Sequence, residues 1–380
     1  MNYRVALPFT LIMAMQNAFS LHFVSYGDTR TYPNSHQIVI DAVAKVNPEM
    51  IAFSGDLWDG YTSAQWKTIV NSNANIATLL TNNKFVVARG NHETEAEVLA
   101  FTPTLVRNNS ARYSFTEGDC FFVCLAMDPS AGLTFLETEL KSAPAKAAKW
   151  RIVLSHYAPY NDGSHGGDVA NVPRLDSLCS KYNVSLFLSG HDHNYQRTHQ
   201  LFNTKVVDQS NLLTYNKGTV YLVSGGGGAP LYTRSQTSAY MHSFTSTNNY
   251  LDITTSPTML TVRAMKVDLS TKAVSPLDSF VINAADVAID PLGPSTGGGL
   301  SFSASLILST KRVALSFPAI IGASEVLEIR SLTGDLVFSQ KLVPNQQSLL
   351  WDYSKQAPGE YVAVLSQGET STSTKISIKK

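Results

Sequence analysis

"FLSGHDHNYQR", residues 187–197, places two histidines either side of an aspartate, directly after an apolar run and a glycine. A short apolar run ending in a small residue is how a strand covered on both faces finishes, so His191 and His193 fall at a strand's carboxyl end. The same arrangement occurs four more times upstream. "HFVSYGD" ends at Asp28, "MIAFSGD" at Asp56, "KFVVARGNH" at Asn91 and His92, and "RIVLSH" at His156. Between the runs lie helix-like stretches such as "SHQIVIDAVAKV" and "SAQWKTIVNSNANIATLL". Strands alternating with helices predict an α/β fold with a largely parallel sheet. Sites in such sheets lie beyond the carboxyl ends of the strands, so the five clusters are expected to converge.

One "GD" alone would be a turn former or a helix cap. Five clusters at one topological position form a donor set instead. Two aspartates, one asparagine and three histidines supply oxygen and imidazole without thiolate, a mixture that suits iron, zinc or manganese and leaves the identity open. Six side chains exceed the needs of one ion with an open position. With one bridging carboxylate they hold two ions about 3.5–4 Å apart, an arrangement suited to phosphoryl transfer. The glycines before Asp56, Asn91 and His191 are expected to turn the backbone sharply there.

"GDTR", "GDLWDG", "GNHE", "VLSH" and "GHDH", in that order and spacing, resemble the five motif blocks of the calcineurin-like metallophosphoesterases, the superfamily that includes the purple acid phosphatases. "HNYQR" and "YLVSGGGGAP" resemble the bacterial secreted branch nearest the purple acid phosphatases. The resemblance spans residues 21–283 and implies a four-layer αββα sandwich, two β-sheets face to face with helices outside. It implies a phosphate-ester substrate, most simply a monoester, with a phosphodiesterase or nucleotidase as the alternative within the class. It places Asp28, Asp56 and His193 on one ion, and Asp56, Asn91, His156 and His191 on the other. It also implies attack by a metal-bridging hydroxide, with His92 protonating the leaving group or steadying the phosphate.

Two positions depart from the pattern. Arg30 stands where the first block has a histidine or, in the purple enzymes, a glycine, and a guanidinium has no lone pair to give a metal. Asp59 stands where the purple enzymes have an iron-binding tyrosine, so no tyrosinate colour is expected. One metal set is therefore short of a protein ligand. That leaves a catalytically weak binding protein as a reading outside the enzyme class. Arg30 suits either a bidentate contact with the substrate phosphate or a pairing with a neighbouring acid. His165, in "NDGSHGGD", is a candidate substrate contact, and Asp192 is expected to orient this loop or a ligand. "GGGG" at 225–228 reads as a close-packed loop bordering the site. His22, His36, His199 and His242 fit no block.

Composition bounds the rest. The chain has 380 residues, 44% hydrophobic and 15% charged, with Lys+Arg 29 against Asp+Glu 29. That length implies more than one domain, and the balanced charge gives no reason to expect a nucleic-acid surface. Residues 1–20 read as a signal peptide, with Arg4, an apolar run and small residues near the end, and no later run is long enough for a membrane span. Residues 284–301 read as a Pro/Gly/Ser-rich linker. Residues 302–380 alternate like the strands of a small β-sandwich and contain no histidine or cysteine. "IRSLTGDLV", "APGEYVAVL" and the final "KISIKK" resemble the sorting domains of the type IX secretion route, which implies export and secretion machinery as a partner. The three cysteines lie in "CFFVC" and at Cys179. Cys120 and Cys124, four apart on one strand, sit about 13 Å from each other and cannot bond, while either could pair with Cys179; three is an odd number, so at least one thiol stays free, and buried apolar cysteines are expected.

Overall fold

The computed structural model describes residues 20–101, 111–167 and 171–284. Toward the C-terminus it describes 303–307, 311–316, 325–331, 335–343, 346, 348–367 and 370–378. The expected signal peptide and linker lie almost wholly outside these residues.

Eight strands carry the site or its supports. They are β1 (His22–Tyr26), β2 (Met50–Phe53), β3 (Phe85–Val87), β4 (Tyr113–Glu117), β5 (Cys120–Cys124), β6 (Trp150–Leu154), β7 (Leu186–Ser189) and β8 (Tyr195–Thr198). One seven-stranded sheet runs Leu212–Thr214, Val274–Asn283, Met259–Val267, Asn249–Thr255, β1, β2, β3. The other runs Met241–Thr245, β8, Val220–Ser224, β7, β6, β5, β4. Facing residues of both sheets, among them Phe23, Met50, Ala52, Phe122, Trp150, Ile152, Leu188 and Ile253, share one core. The alternate residues of the same strands turn outward. Val24, Ile51 and Phe85 pack on helices Pro33–Lys45, Ser63–Asn71 and Ala74–Thr81. Phe121, Val153 and Phe187 pack on helices Leu133–Leu140 and Val172–Lys181. The period-2 alternation of strands therefore builds four layers, helix–sheet–sheet–helix, from runs apolar on both faces.

The sheets are mixed rather than largely parallel. β1, β2 and β3 are parallel, as are β5, β6, β7 and Val220–Ser224, but antiparallel strands flank both groups. After Asn249 the chain returns through short turns, and a short turn joins only antiparallel neighbours. The strand Met259–Val267 carries the matching signal, alternating buried and part-exposed residues where the parallel strands are buried throughout.

Cys120 and Cys124 lie between the sheets and Cys179 on the buried face of the outer helix Val172–Lys181, all three free and buried. Among the described residues no helix is long and apolar enough to cross a membrane. The C-terminal strands form a three-stranded and a four-stranded sheet around a core of their own, including Val313, Leu327, Trp351, Tyr361 and Ile376.

His36, which fits no motif block, is a core residue. Its ring stacks on Trp66 with centroids 5.6 Å apart, and its Nε2 has no hydrogen-bond partner. Burial pushes its pKa down to about 3. Below pH 6.5 the unfolded chain takes up a proton that folded His36 refuses, so stability is lost as pH falls from about 6.5 toward 3. His36→Phe keeps the stack and removes this proton uptake. Denaturant melts at pH 7.5 and 5.5 are expected to show the variant losing about 1 kcal/mol less on acidification than the parent.

Candidate metal centre

Three donor-bearing turns come from the ends of β1, β2 and β3 in one sheet, and two from β6 and β7 in the other. The site therefore straddles both sheets at one edge of the sandwich. The backbone there is strained at the donors themselves: Asp28, Asp56 and His191 have φ of 61°, 58° and 69°. Left-handed conformations cost a non-glycine residue about 1–2 kcal/mol each, and they gather where a site over-determines the chain. This corrects the role given to the glycines. Of the three, only Gly55 has positive φ, at 98°. Gly90 and Gly190 instead make room, because a Cβ on Gly90 would fall on Asp56. One on Gly190 would lie 2.7 Å from Ser54 Oγ and closer still to Asp28 Oδ2. Gly190→Ala is accordingly expected to cost about 1–3 kcal/mol by overpacking and to weaken manganese binding, read by urea melts and calorimetric titration.

Asp28, Asp56 and His156 are buried and bring ligand atoms within 4.8 Å of one another. His156 Nε2 lies 3.3 Å from Asp56 Oδ1 and 2.9 Å from Asn91 Oδ1. Its Nδ1 lies 2.7 Å from the Ser54 carbonyl, which can only accept, so Nδ1 carries the proton and Nε2 turns a lone pair toward two oxygens. His193 repeats the arrangement. Nδ1 donates to the Pro230 carbonyl at 2.6 Å, while Nε2, buried without a hydrogen-bond partner, faces Asp28 Oδ1 at 3.6 Å. The His191 ring stands 5.0 Å from that of His156, and its backbone N–H donates to both Asp28 oxygens at 3.0 and 3.1 Å.

Lone pairs aimed at carboxylates repel unless a proton or a cation lies between them. Protons on these imidazoles are disfavoured. Burial first, then the crowding of His156, His165 and His193 and the Arg30 charge, pushes His191 down to about 2. Burial pushes His193 down to about 4 and lowers His156. Burial first, and Asp56 second, drives the Asp28 carboxyl upward. Neutral imidazoles beside crowded carboxylates fit a divalent ion, which attracts both.

His92 is held by Asp59, a residue that reads in the sequence only as a missing tyrosine. His92 Nδ1 lies 2.8 Å from Asp59 Oδ2, and its Nε2 lies 3.8 Å from Asp56 Oδ2. The one sequence signal for the pairing is "GDLWDG", where the second acid follows the first by three. Glu93 has no such signal beyond its place after His92. Its carboxylate accepts from the backbone N–H groups of Gly90 at 2.8 Å, Asp56 at 3.2 Å and Leu57, tying two donor turns together. Burial, then Asp56, pushes it up to about 7. Arg30 points at acids: Nε lies 3.3 Å from Asp56 Oδ2 and NH1 lies 3.9 Å from Asp59 Oδ2. Of its two expected uses, the structure has the pairing with a neighbouring acid.

His165 is exposed, its ring 4.1 Å from that of His191. Buried Asp192 holds that loop, accepting from Asn161, from Ser164 N–H at 3.0 Å, and facing His165 Nδ1 at 3.3 Å. Glycines 225–228 are buried against β1 and its turn, with Gly227 N–H donating to the Gly27 carbonyl at 2.9 Å. His22, His199 and His242 are not among these contacts. His22 pairs with Asp252 at 2.7 Å, and His242 with Arg197.

Residues 22–195 match the family model described as calcineurin-like phosphoesterase. Over these residues the chain is similar to the calcineurin-like phosphoesterases. The matched stretch contains every donor named above. An Arabidopsis thaliana protein named "Probable inactive purple acid phosphatase 1" is 25% identical over 209 residues, which is 46% of this chain and 33% of that protein. A Hordeum vulgare "Nucleotide pyrophosphatase/phosphodiesterase" is 26% identical over 222 residues, 49% of this chain and 59% of that one. The chain thus spans between one third and about three fifths of these relatives' length. In fold, the sandwich is similar to purple acid phosphatase PPD1 from yellow lupin (Lupinus luteus) seeds. The TM-score is 0.56 at 19% identity, covering 74% of this chain and 57% of that chain.

Proposed function

We propose that the chain is a metal-dependent phosphoric ester hydrolase acting on phosphate monoesters. One observation carries this reading: buried Asp28, Asp56 and His156 bring ligand atoms within 4.8 Å of one another, with Asn91 beside His156 and the His156 and His193 lone pairs facing carboxylates, a set that a cation would draw together. The residues that would hold iron, zinc or manganese fall into two sets sharing Asp56. One set is Asn91, His156 and His191, the other Asp28 and His193. An ion held there supplies Lewis-acid activation of the ester and of the attacking water.

The chain's own groups do the rest. His92, oriented by Asp59, presents Nε2 toward the centre and delivers the proton to the departing alkoxide. His165 stands at the exposed rim beside His191, where an ester's phosphoryl oxygens would come within its reach. The signal-peptide pattern of residues 1–20 and the sorting-domain resemblance of residues 302–380 support an exported enzyme that scavenges phosphate outside the cell.

The deciding assay is hydrolysis of a chromogenic monoester against the matching diester by the full chain, stripped of metal and then given manganese, zinc or iron singly. Metal-dependent turnover favouring the monoester is expected. Preference for the diester would move the assignment toward the activity named for the barley relative, and absence of turnover in folded, metal-loaded protein would sink the hydrolase reading.

A further inference from the structure

Resting on that reading of the centre, we infer that the Arg30 guanidinium takes the place of one of the two ions, so that the site holds a single tightly bound divalent ion. A carboxylate that bridges two ions offers one side to each. Asp56 offers Oδ1 to the side of His156 and Asn91, but its Oδ2 faces Arg30 Nε at 3.3 Å. That nitrogen is buried, has no hydrogen bond, and is aimed into the centre from a side chain only 17% exposed.

The guanidinium is held where it is. NH2 donates to Tyr232 OH at 3.3 Å, and the Tyr232 ring stacks on His193 at 4.1 Å and 14°, so Arg30 and the second donor set share one aromatic support. That set is also the poorer one. Asp28 and His193 are its own donors, position 30 gives it no lone pair, and Asp59 is engaged with His92.

Charge points the same way. The carboxylates facing the centre are Asp28, Asp56 and Asp59, while Glu93 turns to backbone N–H groups. One divalent ion and one guanidinium balance three carboxylates. A second ion would lie against a guanidinium that cannot lose its proton.

The test counts ions rather than turnover. Full-length chain, stripped with chelator, is dialysed against manganese, and bound metal per chain is measured together with the electron paramagnetic resonance spectrum. One manganese per chain with the six-line signal of an isolated ion is expected. Arg30→His, which restores a donor and removes the charge, is expected to bind a second manganese about tenfold or more tightly than the parent and to show the coupled signal of neighbouring ions. Two ions or a coupled spectrum in the parent overturns the inference and leaves the hydrolase reading standing. So does a folded Arg30→His that still holds one. If the variant does not fold, the parent's spectrum alone decides. A chain that binds no manganese overturns the metal centre itself, and this inference with it.

Discussion

Asp56→Asn is expected to lower metal-dependent ester hydrolysis by roughly 10³-fold or more, the scale on which loss of a group acting directly on developing charge is felt. Asp56 occupies the middle of the centre. One oxygen faces His156 at 3.3 Å and accepts the His92 N–H at 3.2 Å, and the other faces Arg30 at 3.3 Å and His92 Nε2 at 3.8 Å. An amide keeps the shape but removes the charge that every one of these partners is arranged around. His165→Ala, at the exposed rim, is expected to cost far less, about 10-fold. The two variants should be compared by kcat/KM at saturating metal, with a melting curve to show that Asp56→Asn is folded. Equal losses would contradict the central place given to Asp56.

Chelation of the full chain is expected to abolish hydrolysis and to lower the melting temperature, both restored by adding back a single metal. The stripped centre leaves Asp28 and Asp56 buried side by side, and burial with their mutual repulsion already drives the Asp28 carboxyl upward. An ion that binds only the folded chain stabilises it by about 2.7 kcal/mol at a hundred times its Kd. For a domain of this size that corresponds to about 5–10 °C. Scanning calorimetry with and without manganese reads the shift directly. An unchanged melting temperature at saturating metal would mean that the six donors do not form a binding site.

Both predictions rest on residues legible in the amino-acid sequence alone. Asp28, Asp56, Asn91, His156, His191 and His193 each close a run of β-forming apolar residues, and the period of those runs specifies strands without reference to the rest of the chain. The helices between them follow from their own periodicity, and Thr62 with Gln65 starts one by a reciprocal capping pair. Local pattern was enough because each donor's position depends on where its own strand ends.

Local pattern therefore specifies the strand and helix content, the strand-end placement of the donors and their ligand chemistry. Long-range packing settled everything else. The parallel strands that carry the donors are flanked in both sheets by antiparallel ones, because strand partners are chosen by long-range pairing that no local window contains. It put left-handed backbone on Asp28, Asp56 and His191, strain that only surrounding packing can sustain. It also turned Arg30 onto Asp56, set Asp59 behind His92 and laid Tyr232 against His193 across a separation of 39 positions. Those contacts depend on which loops meet above the sheets, and loop meeting is settled by the packing of the whole sandwich.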